Sequence, residues 1–383
     1  MITAFYNLKL ITNGTISSGK AVLVENGFVL DIIDLDKFYA DKNSIDLKGN
    51  YLAPGLIDLQ IYGSGGALFG GNPTTANLQQ MENSLLQQGT TGFLATIATN
   101  TTEIVLQGIQ SAKTYRKNSI GNFLGLHLEG PFLNPKRKGA HPENLIRKAD
   151  LQELRHWFDL AEGEIKMMTV APELQDDEVL DFLDQQNIIL SAGHSNASFT
   201  EAKRFLKYPV KAVTHLYNAM PQMHHREPGF IPAIFEQKPF TSIVPDGIHV
   251  DYPMVRLAKR ELGDKLFIIT DAVTESDEGV YQHKFNINHY EMPDGTLSGS
   301  ALTMLKGVQN LVQFADISLA EAINMASLYP AQLFKDELKG QIKKGCRADF
   351  IIFNDDFKYL DTFFNRQFLS GTSTQTLTNF TVI

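Results

Sequence analysis

The chain of 383 residues has one cysteine, Cys346, no block of basic charge and no run of about 18 apolar residues. Each absence removes a class of protein. A lone cysteine cannot form an intramolecular disulfide or a cysteine zinc site, and it fits a reducing compartment, so the cytoplasm is the expected location. The formal net charge of -9 argues against nonspecific binding to nucleic acid or anionic membranes. The first residues lack a basic segment followed by a continuous apolar stretch, so neither export nor membrane insertion is expected. Internal repeats and low-complexity linkers are missing as well. The stretch Gly63-Ser64-Gly65-Gly66 has neither the Lys-Ser/Thr of a phosphate loop nor G-x-G-x-x-G spacing, and it reads as a backbone turn.

What is present divides the chain in two. Residues 4–11, 21–25 and 28–34 read as short strands with turns at Asn13-Gly14 and Asn26-Gly27, a small antiparallel unit. From residue 51 onward, apolar runs alternate with segments of helical period. The runs are 53–60, 92–99, 122–129, 165–171, 188–194, 210–215, 240–244 and 266–271, each nearly continuous in aliphatic residues, as strands buried on both faces are. Segments 75–88, 177–186 and 198–207 carry apolar residues at three-to-four spacing and predict outer helices. Eight such units predict a (β/α)8 barrel over residues 51–339. Residues 348–353, after a turn at Lys344-Gly345, return to strand pattern. Residues 1–50 and 340–383 are therefore expected to form a small β-sandwich domain.

If the barrel forms, polar residues at the ends of its strands gather on one face. Glu129, His194, His215 and Asp271 end the third, fifth, sixth and eighth runs. Two imidazoles and a carboxylate are a typical three-ligand set for a catalytic divalent metal, and nitrogen donors favour zinc or another first-row metal over magnesium. Asp271 is then either a fourth ligand or a general base beside the metal. His141 and His249 lie in loops that reach the same face. The first suits a hydrogen bond to a carbonyl or oxyanion and the second a substrate contact. Arg226, in a Pro/Gly-bounded loop, can bind an anion through its planar fork. His224 and His225 beside it carry no spacing signal. Leu297-Ser298-Gly299-Ser300 reads as a flexible loop before a helix whose start offers backbone N–H groups.

The ordered motifs Pro54-Gly55-Leu56-Ile57-Asp58, His127-Leu128-Glu129-Gly130-Pro131-Phe132, Ser191-Ala192-Gly193-His194-Ser195-Asn196, Thr214-His215-Leu216-Tyr217-Asn218-Ala219-Met220, Arg226-Glu227-Pro228-Gly229, Asp246-Gly247-Ile248-His249 and Thr270-Asp271-Ala272 span nearly the whole chain. On these the sequence resembles the N-acetylglucosamine-6-phosphate deacetylases of the amidohydrolase superfamily. The resemblance implies a metal held by Glu129, His194 and His215, with Asp271 as acid/base and His141 at the acetyl carbonyl. It also implies sugar-phosphate contacts from Ala140, His141, Asn218, Ala219, Arg226, Asp246, Gly247, Ile248, His249, Leu297, Ser298 and Gly299. In such enzymes the arginine commonly comes from the partner subunit of a homodimer. One departure bears on the metal count. Where many amidohydrolases carry His-x-His on the first strand, this chain has Gln60-Ile61-Tyr62; some related deacetylases also have Gln at the first position and use one metal, usually with Asn where Tyr62 stands. A single divalent metal per subunit is expected, zinc first, with iron, cobalt or manganese as the other choices. The same barrel also serves hydrolases of cyclic amides and nucleobases, and an inactive sugar-phosphate-binding protein is the reading from another class.

Overall fold

A computed structural model describes residues 2–277, 279–369 and 381–382. Eight parallel strands follow one another around a single sheet: β1 (Leu56–Ile61), β2 (Thr90–Ala98), β3 (Phe123–Glu129), β4 (Ile165–Val170), β5 (Ile189–Ala192), β6 (Ala212–Val213), β7 (Phe240–Ile243) and β8 (Leu266–Ile268). Each pairs with its sequence neighbours. The ring closes where the segment after β8 meets β1: Asp271 N–H donates to the Gln60 carbonyl at 3.1 Å and Tyr62 N–H to the Ala272 carbonyl at 2.9 Å. All nine residues of β2 are buried, because the barrel interior covers one face and the outer helices the other.

The helices that follow the barrel strands, one each, are α1 (Thr75–Leu86), α2 (Thr102–Arg116), α3 (Leu151–Ala161), α4 (Asp177–Gln185), α5 (Phe199–Lys207), α6 (Phe230–Gln237), α7 (Tyr252–Leu262) and α8 (Met304–Phe314), and two more, α9 (Leu319–Ala326) and α10 (Leu328–Phe334), come after them. Side-chain caps start several of them. Ser198 and Glu201 form a capping box that sets the start of α5 one residue later than the periodicity predicts. No helix among the described residues is long and apolar enough to cross a membrane.

Two larger sheets outside the barrel are built from the segments before and after it. One is ordered Thr381–Val382, Ser44–Asp46, Ile2–Tyr6, Lys20–Glu25, Phe28–Asp34; the other is ordered Gln367–Phe368, Tyr359–Phe364, Phe350–Phe353, Tyr51–Pro54, Lys9–Thr12, Thr15–Ser17. They share a core that includes Phe5, Val22, Leu52, Phe350, Ile352 and Phe363. Along Phe350–Phe353 the alternate residues Ile351 and Phe353 belong instead to the barrel core, so this strand is buried on both faces. The expected turns form as read: Asn13, Gly14, Asn26 and Gly27 all have positive φ, the requirement of a two-residue hairpin turn.

The structure corrects three expectations. The predicted strand 4–11 is two strands, broken at Asn7, whose φ of 51° turns the chain into the second sheet. The run 53–60 is also two: Tyr51–Pro54 pairs in the outer sheet, and the barrel strand begins only at Leu56. Leu297–Ser300 is a strand rather than a flexible loop. It pairs with His289–Glu291 in a three-stranded insertion between β8 and α8 that also contains Lys284–Asn286.

Candidate metal centre and active site

Glu129 is the last residue of β3, and three histidines surround its carboxylate. Oε1 lies 3.0 Å from His215 Nε2 and 3.5 Å from His194 Nε2, while Oε2 lies 3.3 Å from His141 Nε2. The Nε2 atoms of His194 and His215 are 3.1 Å apart. All four side chains are buried. The two strand-end histidines stand two residues past β5 and β6, and Asp271 stands three past β8. All three adopt the left-handed region, with φ of 48°, 37° and 55°. That conformation costs a non-glycine residue about 1–3 kcal/mol. The regular strands have ended by these positions, and single backbone bonds such as Asp271 N–H to the Gln60 carbonyl hold the turns in place.

The donor set fits a divalent cation. His194 Nδ1 lies 2.8 Å from the Arg137 carbonyl oxygen, which carries no hydrogen, so the ring proton sits on Nδ1 and Nε2 presents a lone pair to the cluster. His215 Nδ1 is buried with no hydrogen-bond partner among the described residues. By distance alone either His141 or His215 completes a triad with Glu129 and His194; Glu129, His141 and His194 bring ligand atoms within 4.8 Å of one another.

Burial opposes the charge on Glu129, but the surrounding imidazoles of His141, His194 and His215 outweigh it and hold the carboxyl well below its usual range. Burial pushes Asp271 up, with His215 acting against the shift. Burial and then the neighbouring His194 push His141 down to about 4, leaving it neutral near pH 7.

Gln60 links the two carboxylates. Its Nε2 donates to Asp271 Oδ1 at 2.8 Å and to Glu129 Oε1 at 3.0 Å, and it lies 3.0 Å from the Tyr62 hydroxyl. Ionised carboxylates only accept, so the amide is oriented with nitrogen toward them. The Tyr62 hydroxyl donates to Glu129 Oε2. Burial, reinforced by the Glu129 charge, pushes this phenol well above its usual range and keeps it a donor.

A pocket opens above the cluster. Of the residues predicted to bind substrate, Ala140, His141, Asn218, Ala219, His249, Leu297, Ser298 and Gly299 line it, and Asp271 lies at its floor. Gly299 must be glycine: at φ 153° an added Cβ would sit 2.7 Å from Val273. Asp246, Gly247 and Ile248 do not line the pocket. The Asp246 carboxylate instead accepts the N–H groups of Ile248 and His249 at 2.9 and 2.8 Å and lies 2.6 Å from His249 Nδ1, which folds the loop and orients His249. Arg226 is exposed and lies outside the pocket, and no lysine or arginine is among the lining residues. The sequence reading did not pick out Tyr281 and His283, which enter from the insertion after β8, or Leu68, Gly70 and Gly71, which follow the glycine-rich turn. Tyr281 donates to the Thr99 carbonyl at 2.8 Å, and the Thr99 hydroxyl lies 2.7 Å from His141 Nδ1.

Residues 51–369 match the amidohydrolase family. The chain is an amidohydrolase. Members of this family use a divalent metal, in keeping with the Glu/His/His cluster at the barrel mouth. This amidohydrolase is 31% identical over 374 residues to the N-acetylglucosamine-6-phosphate deacetylase of Haemophilus influenzae, covering 94% of this chain and 98% of that protein. It is 35% identical over 327 residues to the Bacillus subtilis protein of the same name, covering 81% of this chain and 82% of that one. The crystal structure of N-acetylglucosamine-6-phosphate deacetylase from Pasteurella multocida is similar to it with a TM-score of 0.92 and 33% identity, over 96% of this chain and 99% of the other.

Proposed function

We propose that this amidohydrolase removes the acetyl group of N-acetylglucosamine 6-phosphate, giving glucosamine 6-phosphate and acetate. The observation that carries the reading is Asp271 beside the Glu129 and histidine cluster, lining one pocket with Ala140, Asn218, His249 and residues 297–299. We assign Glu129, His194 and His215 as ligands of one divalent metal, zinc first. Both His194 Nε2 and His215 Nε2 attend Oε1 of Glu129, whereas His141 attends Oε2 and stays available to substrate. The Gln60 amide nitrogen lies between Glu129 and Asp271, where a second cation would otherwise sit, and this supports a single metal.

A divalent cation bound at this cluster polarises the amide carbonyl and acidifies water. Asp271 takes a proton from the attacking water and delivers it to the departing nitrogen, a task suited to a carboxylate whose pKa burial raises. His141, anchored by Thr99, donates from Nε2 to the carbonyl oxygen as negative charge develops there. His249 and the 297–299 strand face the sugar. A dianionic 6-phosphate calls for a cation that the pocket's own lining lacks, and Arg226, exposed and outside the pocket, meets that need across a homodimer. A phosphorylated sugar cannot readily cross a bilayer, which with the lone cysteine supports a cytoplasmic enzyme.

The test is acetate release from N-acetylglucosamine 6-phosphate, together with metal analysis of protein purified without chelator. Release with one equivalent of zinc is expected. No release refutes the activity, and two tight equivalents refute the single-metal assignment.

A further inference from the structure

The insertion after β8 brings a second imidazole system to the pocket, away from the metal cluster. His283 is 3% exposed and lines the pocket. Its Nδ1 lies 2.9 Å from the Ser298 hydroxyl, and that is the hydrogen bond the ring makes among the described residues, which leaves Nε2 toward the pocket. A buried ring with one nitrogen fixed and the other facing a cavity is a hydrogen-bonding site awaiting a ligand.

The rings around it show which part of a ligand it would meet. Tyr281 packs edge-on against His141 with centroids 6.3 Å apart, and His283 stacks on Tyr281 at 5.9 Å and 16°. His283 is thus two ring contacts removed from the histidine assigned to the acyl carbonyl. Burial pushes its pKa down to about 4, so the ring carries no charge near neutrality and offers little to a dianion. Tyr281 has spent its hydroxyl on Thr99 and presents ring carbon to the pocket.

We infer that His283, held by Ser298, is a specificity-determining residue that hydrogen-bonds a ring hydroxyl of the amino sugar. The inference rests on the deacetylase reading and adds to it a residue that reads the sugar itself.

The experiment compares wild type with His283→Leu and His283→Gln on N-acetylglucosamine 6-phosphate and on its 1-, 3- and 4-deoxy analogues, recording kcat and KM separately with metal content and Tm as controls. The Leu variant is expected to lose about 10- to 100-fold in kcat/KM on the parent, mainly through KM, the size of one lost hydrogen bond in a buried site. The Gln variant, which keeps a polar group there, should recover part of that loss. On one deoxy analogue wild type and variants should converge, identifying the hydroxyl. An unchanged Leu variant, or an equal loss on all four compounds, overturns the inference while leaving the deacetylase standing. If the Leu variant does not fold, the Gln variant carries the same comparison. Wild-type protein inactive on all four compounds overturns both.

Discussion

The two ends of the barrel bury charge in opposite ways. Toward the outer sheets, Lys339 Nζ lies 2.6 Å from Asp349 and donates to the Thr91 carbonyl at 3.0 Å, and Arg347 reaches Asp349 at 3.2 Å. That cluster is paired and hydrogen-bonded, as a buried ion pair must be to be tolerated. At the mouth, the carboxylates of Glu129 and Asp271 share one amide nitrogen, His194 offers a lone pair, and three residues sit in left-handed backbone. One end is satisfied within the chain. The other gathers two carboxylates and three imidazoles in a pocket whose lining has no lysine or arginine, and the difference separates stability from chemistry on a single scaffold.

Three changes break or sharpen that contrast, from the largest expected effect to the smallest. Asp271→Asn should lower kcat about 10²- to 10⁴-fold, the range of a lost general acid/base, while Tm holds or rises because a carboxylate that burial disfavours is gone. Activity assays and thermal melts check both halves, and a fall in Tm would contradict the contrast. Lys339→Met should do the reverse. It should cost about 3 kcal/mol, the low end for breaking a buried pair because Arg347 still faces Asp349, and leave kcat unchanged, as denaturant titration and assay will report.

Asp58 on β1 provides the subtlest test. It accepts from Thr270 and the Gln60 N–H, yet burial raises its pKa from 3.8 to about 7. Between about pH 4 and 7 the folded chain keeps a proton that the unfolded chain has released. Stability from this group is therefore complete below about pH 4 and lost as pH rises through 7. Asp58→Asn should flatten that decline in chemical denaturation measured across the window, and an unaltered slope would show that Asp58 behaves like the paired base.

Much of this was legible in the chain because β-strands buried on both faces write themselves as apolar runs, and a charged or imidazole side chain ending such a run stands out. Glu129, His194, His215 and Asp271 all carried that signal. The strands themselves were overestimated: β6 is only Ala212–Val213, because Thr214 keeps one backbone bond to the Ala192 carbonyl and His215 then turns out of the sheet with φ of 37°. Left-handed turns leave no periodicity to read. The Gln60 and Tyr62 contacts bridge 69 and 67 residues of sequence to Glu129, and no local pattern encodes such a span. His283 was invisible for another reason. It lies in an insertion of exposed short strands, where a histidine looks like any surface histidine until the fold places it over the pocket.

The strand Phe350–Phe353 carries one more consequence. Its even-numbered side chains complete the core that residues from Phe5 to Leu52 begin, and its odd-numbered ones seal the barrel. During synthesis the opening sheets must therefore wait, with Val22, Val24 and Val29 uncovered, until almost the entire chain has left the ribosome. The two bodies that look separable in outline are born unfinished together, and they should melt together in one cooperative transition.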